Sequence, residues 1–203
     1  MTVLSNFGIA FFFSFIGTIP PGSLNLNILQ LGVDGKINTA WRFAIAAALI
    51  EYPYAWAAVK FEQFITSSAL ILNNISLITA IVMTILGVFN LWASYRPSAY
   101  SVKFNNSGFR RGVLLAILNP LALPFWVGTT AYLNGQHWIN LSSAIELHAY
   151  LLGVSAGALS LFMLVACLAK RIVSEVELGT KLKRIPGLVL LALGLYAFFQ
   201  YLS

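Results

Sequence analysis

The sequence predicts an all-α membrane protein: six transmembrane helices forming two inverted three-helix repeats, with helices 1 and 4 broken near the midplane. Three observations carry this. The 203-residue chain is 59% hydrophobic and only 9% charged, far from the composition of a soluble domain. Its apolar runs approach or exceed the roughly 20 residues needed to cross a bilayer. Two of those runs, the first and the fourth, carry proline motifs at similar depth, Thr18-Ile19-Pro20-Pro21-Gly22-Ser23 and Leu118-Asn119-Pro120-Leu121.

The spans lie at about 8–31, 40–61, 70–94, 111–133, 144–169 and 185–202. In span 1 the adjacent prolines donate no backbone hydrogen bonds and clash with the preceding turn, so a helix cannot run straight through them. Gly22 adds freedom, and Ser23, Asn25 and Asn27 bring polar side chains to a depth where lipid cannot solvate them. Broken backbone is tolerated there only when it is buried in protein or lines a watery cavity. Ser23 is expected to cap a new half-helix. Asn25 and Asn27, two apart, cannot share a regular helical face, so one should line the cavity while the other bonds a neighbouring helix.

Span 2 holds Glu51, the one acidic residue placed deep inside a predicted span. Ala47, Ala48 and Ala55 share its face, so a neighbouring helix can approach closely. Pro53 frees a backbone carbonyl one turn back, and Tyr54 follows it. A carboxylate at that depth is by default a functional candidate, able to bind a substrate ammonium or exchange a proton. The bland alternative is a protonated structural donor.

Span 4 repeats the break of span 1, with Asn119 before Pro120 in the cap-then-proline order that starts a helix. Half-helix starts expose N–H groups and partial positive charge, a seat for a carboxylate. Interruptions in corresponding segments of two halves point to a transporter's binding site. The candidate binding set is therefore Pro20, Pro21, Gly22, Ser23, Asn25, Asn27, Glu51, Tyr54, Asn119 and Pro120, with Glu51 also carrying the proton. Amine at Glu51 and carboxylate at the helix starts together suit a zwitterion.

Span 5 contains Gly153-Val154-Ser155-Ala156-Gly157, which permits close packing within the bundle or, less simply, a homodimer contact. Glu146 and His148 open it and read as an exposed interfacial pair. Trp41, Trp92, Tyr95, Tyr100, Trp138 and Tyr150 lie near span ends and read as interfacial anchors.

Eleven of the twelve basic residues fall in the 1–2, 3–4 and 5–6 connections or at their edges; Lys60 alone lies on the other side. The positive-inside rule then puts those connections in the cytoplasm and both termini outside. Three spans per half make any repeat inverted. The chain is one transmembrane domain over residues 1–203: first repeat 1–95, cytoplasmic connection 96–110, second repeat 111–203. The formal charge of +6 is accounted for by these connections, which leaves no basic face for nucleic acid. The N-terminus lacks a basic leader region, so its apolar run reads as a retained span. Cys167 sits alone in an apolar run, which argues against a thiol-shuttling reductase. No nucleophile or acid–base constellation marks an enzyme, and no metal set or cofactor is expected.

With Pro21-Gly22, Glu51 and Asn119-Pro120 in place, the chain resembles the lysine-exporter (LysE/RhtB-type) amino-acid translocator family over essentially its whole length. The resemblance implies a secondary transporter in the bacterial cytoplasmic (inner) membrane that exports an amino acid or related small solute, driven by proton entry. Three positions depart from the family pattern. Its Pro-Gly-Pro ends here in Ser23, the glycine before the segment 2 acid is Ile50, and the lysine after Asn-Pro is Leu121. Glu51 also stands where the family usually has aspartate. The loss of that lysine removes a cation from the site and leaves a cationic solute no better supported than a neutral one. The competing reading is a cation or metal ion exporter or channel of the same superfamily, with Glu51 and the Asn25, Asn27 and Asn119 amide oxygens as hard ligands. A scaffold without transport leaves the paired breaks unexplained.

Overall fold

The computed structural model describes residues 3–19, 22–67, 77, 80–81, 83–85, 87–88, 91–92, 107–119, 121–175 and 185–202. Among them seven helices are bounded: α1 (Val3–Gly17), α2 (Ser23–Val33), α3 (Ile37–Ser67), α4 (Gly108–Ile117), α5 (Ala122–Gly135), α6 (Ala144–Glu175) and α7 (Ile185–Leu202). The described residues between 77 and 92 are helical as well.

Both expected breaks are present. Span 1 is α1 followed by α2, and span 4 is α4 followed by α5, bent by 64°. Pro20, Pro21 and Pro120 lie outside the described residues, as do Tyr95, Tyr100 and most of the predicted third span. Among the described residues, Ala144–Ile172 is long and apolar enough to cross a membrane as one helix, with a mean hydropathy of 2.3 over an 18-residue stretch of it. The α4–α5 pair meets that standard as one bent span. Spans 1 and 2 do not pass as single helices, for identifiable reasons. The break leaves α1 at 15 residues and α2 at 11, and α3 carries Arg42, Glu51, Lys60 and Glu62 along its 31 residues.

The chain divides into two compact units, one of residues 1–62 with 104–177 and one of 63–103 with 178–203. Small residues set the close approaches inside the first. A Cβ on Gly153 or Gly157 of α6 would collide with the carbonyl oxygens of Phe7 and Phe11 on α1, and Ser14 Oγ donates to the Val154 carbonyl at 2.6 Å. The glycine pair of span 5 is therefore occupied by packing within the chain. A second pair does the same on α4: Gly108 abuts Thr39, and a Cβ on Gly112 would lie 2.5 Å from the Phe43 carbonyl of α3. Gly32 brings α2 equally close to Ala166 and Ala169 of α6. With lipid tails as apolar as the side chains, such contacts rather than hydrophobic burial hold membrane helices together.

Turn chemistry explains the ends. Gly35, at φ +72, supplies the left-handed residue between α2 and α3. Ser143 and Glu146 form a capping box at the start of α6, with Ser143 N–H donating to Glu146 Oε2 at 3.1 Å and Glu146 N–H donating to Ser143 Oγ at 3.2 Å. In the second unit, a Cβ on Gly87 would lie 2.7 Å from the Leu191 side chain, and one on Gly194 would lie 2.7 Å from Thr84 Oγ1.

Candidate functional site

Two apolar clusters fill the first unit. One gathers Leu24 and Ile28 of α2, Phe43, Ala47 and Ile50 of α3, Leu115 and Ala116 of α4, and Ala158 and Phe162 of α6. The other gathers Ala10 and Phe13 of α1, Tyr52, Ala55 and Val59 of α3, Leu123 and Trp126 of α5, and Tyr150 and Val154 of α6. Each long helix changes cluster at one level, α3 between Ile50 and Tyr52 and α6 between Val154 and Ala158. The two broken spans change cluster across their breaks. Polar residues lie at the seam: Glu51 on α3, Ser155 on α6, Thr18 and Asn25 on either side of the first break and Asn119 in the second.

Contacts at the seam bring the breaks together. Gly17, the last residue of α1, lies against the ring of Phe125 in the first turn of α5. Asn25, 8% exposed, donates from Nδ2 across its own break to the Thr18 carbonyl. Tyr54 Oη donates at 2.6 Å to the carbonyl of Ile117, the last residue of α4. That carbonyl is one the interrupted helix leaves without an intrahelical partner. Glu51 accepts a hydrogen bond at 2.8 Å from Trp126 Nε1, one turn into α5. Glu51, Tyr54, Asn25 and Asn119 thus stand on or beside the two breaks.

The expected caps do not form. Gly22, in extended backbone, is the N-cap of α2 and makes no side-chain cap; its carbonyl takes the Leu26 N–H at 3.0 Å. Ser23 is already helical, so its hydroxyl is not at the capping position. Asn119 likewise lies two residues before the α5 N-cap, Leu121, which makes no side-chain cap. Its Oδ1 accepts the Leu121 N–H at 3.3 Å in a local turn instead. Both half-helices start without a side chain covering their first N–H groups.

Asn27 is the amide that bonds a neighbouring helix. Its Nδ2 donates to the Ser23 carbonyl at 2.7 Å, and its Oδ1 accepts from Arg111 Nη2 of α4. Arg111 Nε is buried without a hydrogen-bond partner among the described residues.

Several partners escape a reading of the sequence. Trp126 carries no charge and no motif. Tyr150, taken for an interfacial anchor, is fully buried, bonds Thr130 Oγ1 at 2.9 Å and packs edge-on against Trp126. His148 pairs not with Glu146 but with Tyr52, Oη to Nδ1 at 2.5 Å, their rings stacked. Ser155 Oγ is buried without a hydrogen-bond partner among the described residues. A serine in mid-span with small neighbours looked like packing alone. Among the described residues no group of three or more His, Cys, Asp or Glu side chains is gathered as a metal site would need.

The model of the LysE type translocator family matches residues 15–200. No curated protein and no solved structure matches the chain.

Proposed function

The chain belongs to the LysE type translocator family, a family of membrane transporters that export amino acids or related small solutes, and we propose that Glu51 is where this member couples its solute to a proton. The observation that carries the reading is the position of Glu51. It stands on the seam between two apolar clusters, held by Trp126 one turn beyond the second break. A zwitterionic solute places its ammonium at Glu51 and its carboxylate at the starts of α2 and α5, where no side chain caps the helix and its dipole favours an anion. A proton taken up at Glu51 neutralises the carboxylate and releases the ammonium. Transport driven by an inward proton gradient follows from that competition. This reading places the protein in the inner membrane with both termini outside, as the charge distribution of the connections requires.

The six-span inverted repeat is part of the same proposal. In its support, the first compact unit takes two spans from each half and the second takes the remaining span of each. The close contacts also correspond: α1 packs on α6 as α4 packs on α3. For the alternative, a cation site, the donors weigh unfavourably. Asn27 Oδ1 already accepts from Arg111, and a guanidinium beside the ligand set repels a metal ion.

The test is efflux from proteoliposomes loaded with a labelled mixture of amino acids, with and without an imposed pH gradient. Wild type should show gradient-dependent efflux of a subset of the mixture, and Glu51→Gln should lose it. Equal efflux from both proteins would make Glu51 structural. Movement of a metal ion and no amino acid would transfer the assignment to the cation reading.

A further inference from the structure

A second carboxylate lies in the first unit. The sequence pattern ends span 2 at residue 61, yet α3 continues to Ser67, and Glu62 is 6% exposed, as deep as Glu51 at 9%. Their spacing on α3 is three helical turns, so both face the same side.

On that side α5 presents Trp126, Thr130 and Asn134, spaced by four and so forming one stripe. Trp126 Nε1 donates to Glu51, and Asn134 Nδ2 donates to Glu62 Oε1 at 3.3 Å. Between them Thr130 Oγ1 and Tyr150 Oη share a hydrogen bond of 2.9 Å, with both residues fully buried. Asn134 lies one turn beyond Thr130 on α5, which sets the Glu62 carboxyl beside the turn next to the hydroxyl pair. A line of polar side chains thus leads from the seam toward the end of the unit where α1 begins. Packing alone does not call for it, because a buried carboxylate is costly and small apolar residues would fill the same space. Toward that end of the unit the other titratable groups include Tyr52 and Lys60 on α3, Tyr132 on α5, His137 just after it, and Glu146 and His148 on α6.

We propose that Glu62 is the outer proton-exchanging carboxylate of this transporter, joined to Glu51 through the Tyr150–Thr130 hydroxyl pair. The proposal rests on the reading of Glu51 as the coupling group. Glu62 takes a proton from the outer surface. Each hydroxyl then accepts one proton and passes on its own, remaining neutral after the transfer. Trp126 has an N–H donor and no lone pair to receive a proton, so it holds Glu51 Oε2 and leaves Oε1 as the receiving atom. Thr130 lies one helical turn from Trp126 along α5, and in this relay a water carries the step from the hydroxyl pair to Glu51.

The experiment uses reconstituted full-length protein and a labelled mixture of the twenty protein amino acids. Two rates are measured: efflux driven by an inward pH gradient, and amino-acid exchange at equal concentrations without a gradient. Glu62→Gln should cut the gradient-driven increment on the order of tenfold while exchange continues, and Tyr150→Phe should cut it several-fold in the same pattern. Glu51→Gln should abolish the increment. The proposal is overturned if Glu62→Gln retains the full increment, which shows that protons reach Glu51 another way. It is also overturned if Glu62→Gln and Tyr150→Phe lose exchange in proportion, which makes the line a scaffold. A wild type without any gradient-dependent increment would instead remove the coupling assigned to Glu51, and the relay with it.

Discussion

The two apolar clusters of the first unit share α3 and α6 yet differ in kind. The cluster on α2 and α4 is alanine, leucine, isoleucine and phenylalanine, closed by Phe43 and Phe162. The cluster on α1 and α5 encloses hydrogen-bonding aromatics, Trp126 and Tyr150, with Thr130 and Glu62 buried beside them. Side chains of the first kind can only pack. Those of the second must find partners, and three hydrogen-bonded pairs follow one another along α5. Among the described residues the buried carboxylates, Glu51 and Glu62, lie at the seam and on one side of it.

That comparison can be broken by substitutions whose effects should sort by side. The largest effect belongs to the shared scaffold. Gly157→Leu forces a side chain into the Phe11 carbonyl and should cost about 3 kcal/mol or more of stability, read by thermal unfolding in detergent. Gly128→Ala, where a Cβ meets open space, should be neutral or slightly stabilising. Next, Phe162→Ala opens a cavity in the α2–α4 cluster and should cost about 3 kcal/mol. Its solute affinity should stay unchanged, a result that a polar role for that cluster would reverse. Trp126→Phe keeps the apolar bulk but strips Glu51 Oε2 of its donor. It should cost about 1–3 kcal/mol and, unlike Phe162→Ala, alter the pH dependence of efflux. The smallest effect on stability is expected of Ser155→Ala, since removing a hydroxyl without a partner costs little or nothing. A several-fold rise in KM for the amino-acid mixture at unchanged stability would place Ser155 against the solute, whereas an unchanged KM would leave it outside.

Much of the frame was legible in the sequence, because its strongest signals are backbone chemistry. Paired prolines stop a helix in any surroundings, and α1 ends at Gly17 and α4 at Ile117 as expected. Glu51 stood out because a carboxylate among alanines has few innocent explanations. The glycine pair of α6 was read correctly as packing. Details that depend on register were less accessible. Ser23 and Asn119 look like caps by composition, but a one- or two-residue shift in where the helix starts moves each off the capping position. Glu62 fell outside because hydropathy ends span 2 at Phe61, whereas α3 runs on to Ser67. Tyr150 failed to register because aromatics near span ends usually mark the interface, and Trp126 because a mid-span tryptophan carries no charge and no motif. Only the partners, Thr130 and Glu51, distinguish a buried hydrogen-bonding ring from an anchor. Gly108 and Gly112 form a pair like that of α6 but straddle the predicted start of span 4, where small residues attract no notice.

The contact between Gly17 and the Phe125 ring bears on how this sequence can drift. A ring lying over the end of α1 leaves no room for a methyl group at position 17, so the two sites must change together. Among divergent relatives, a larger residue at 17 should accompany a smaller one at 125. An alignment deep enough to detect paired substitutions would register that dependence as covariation between the two halves of the chain.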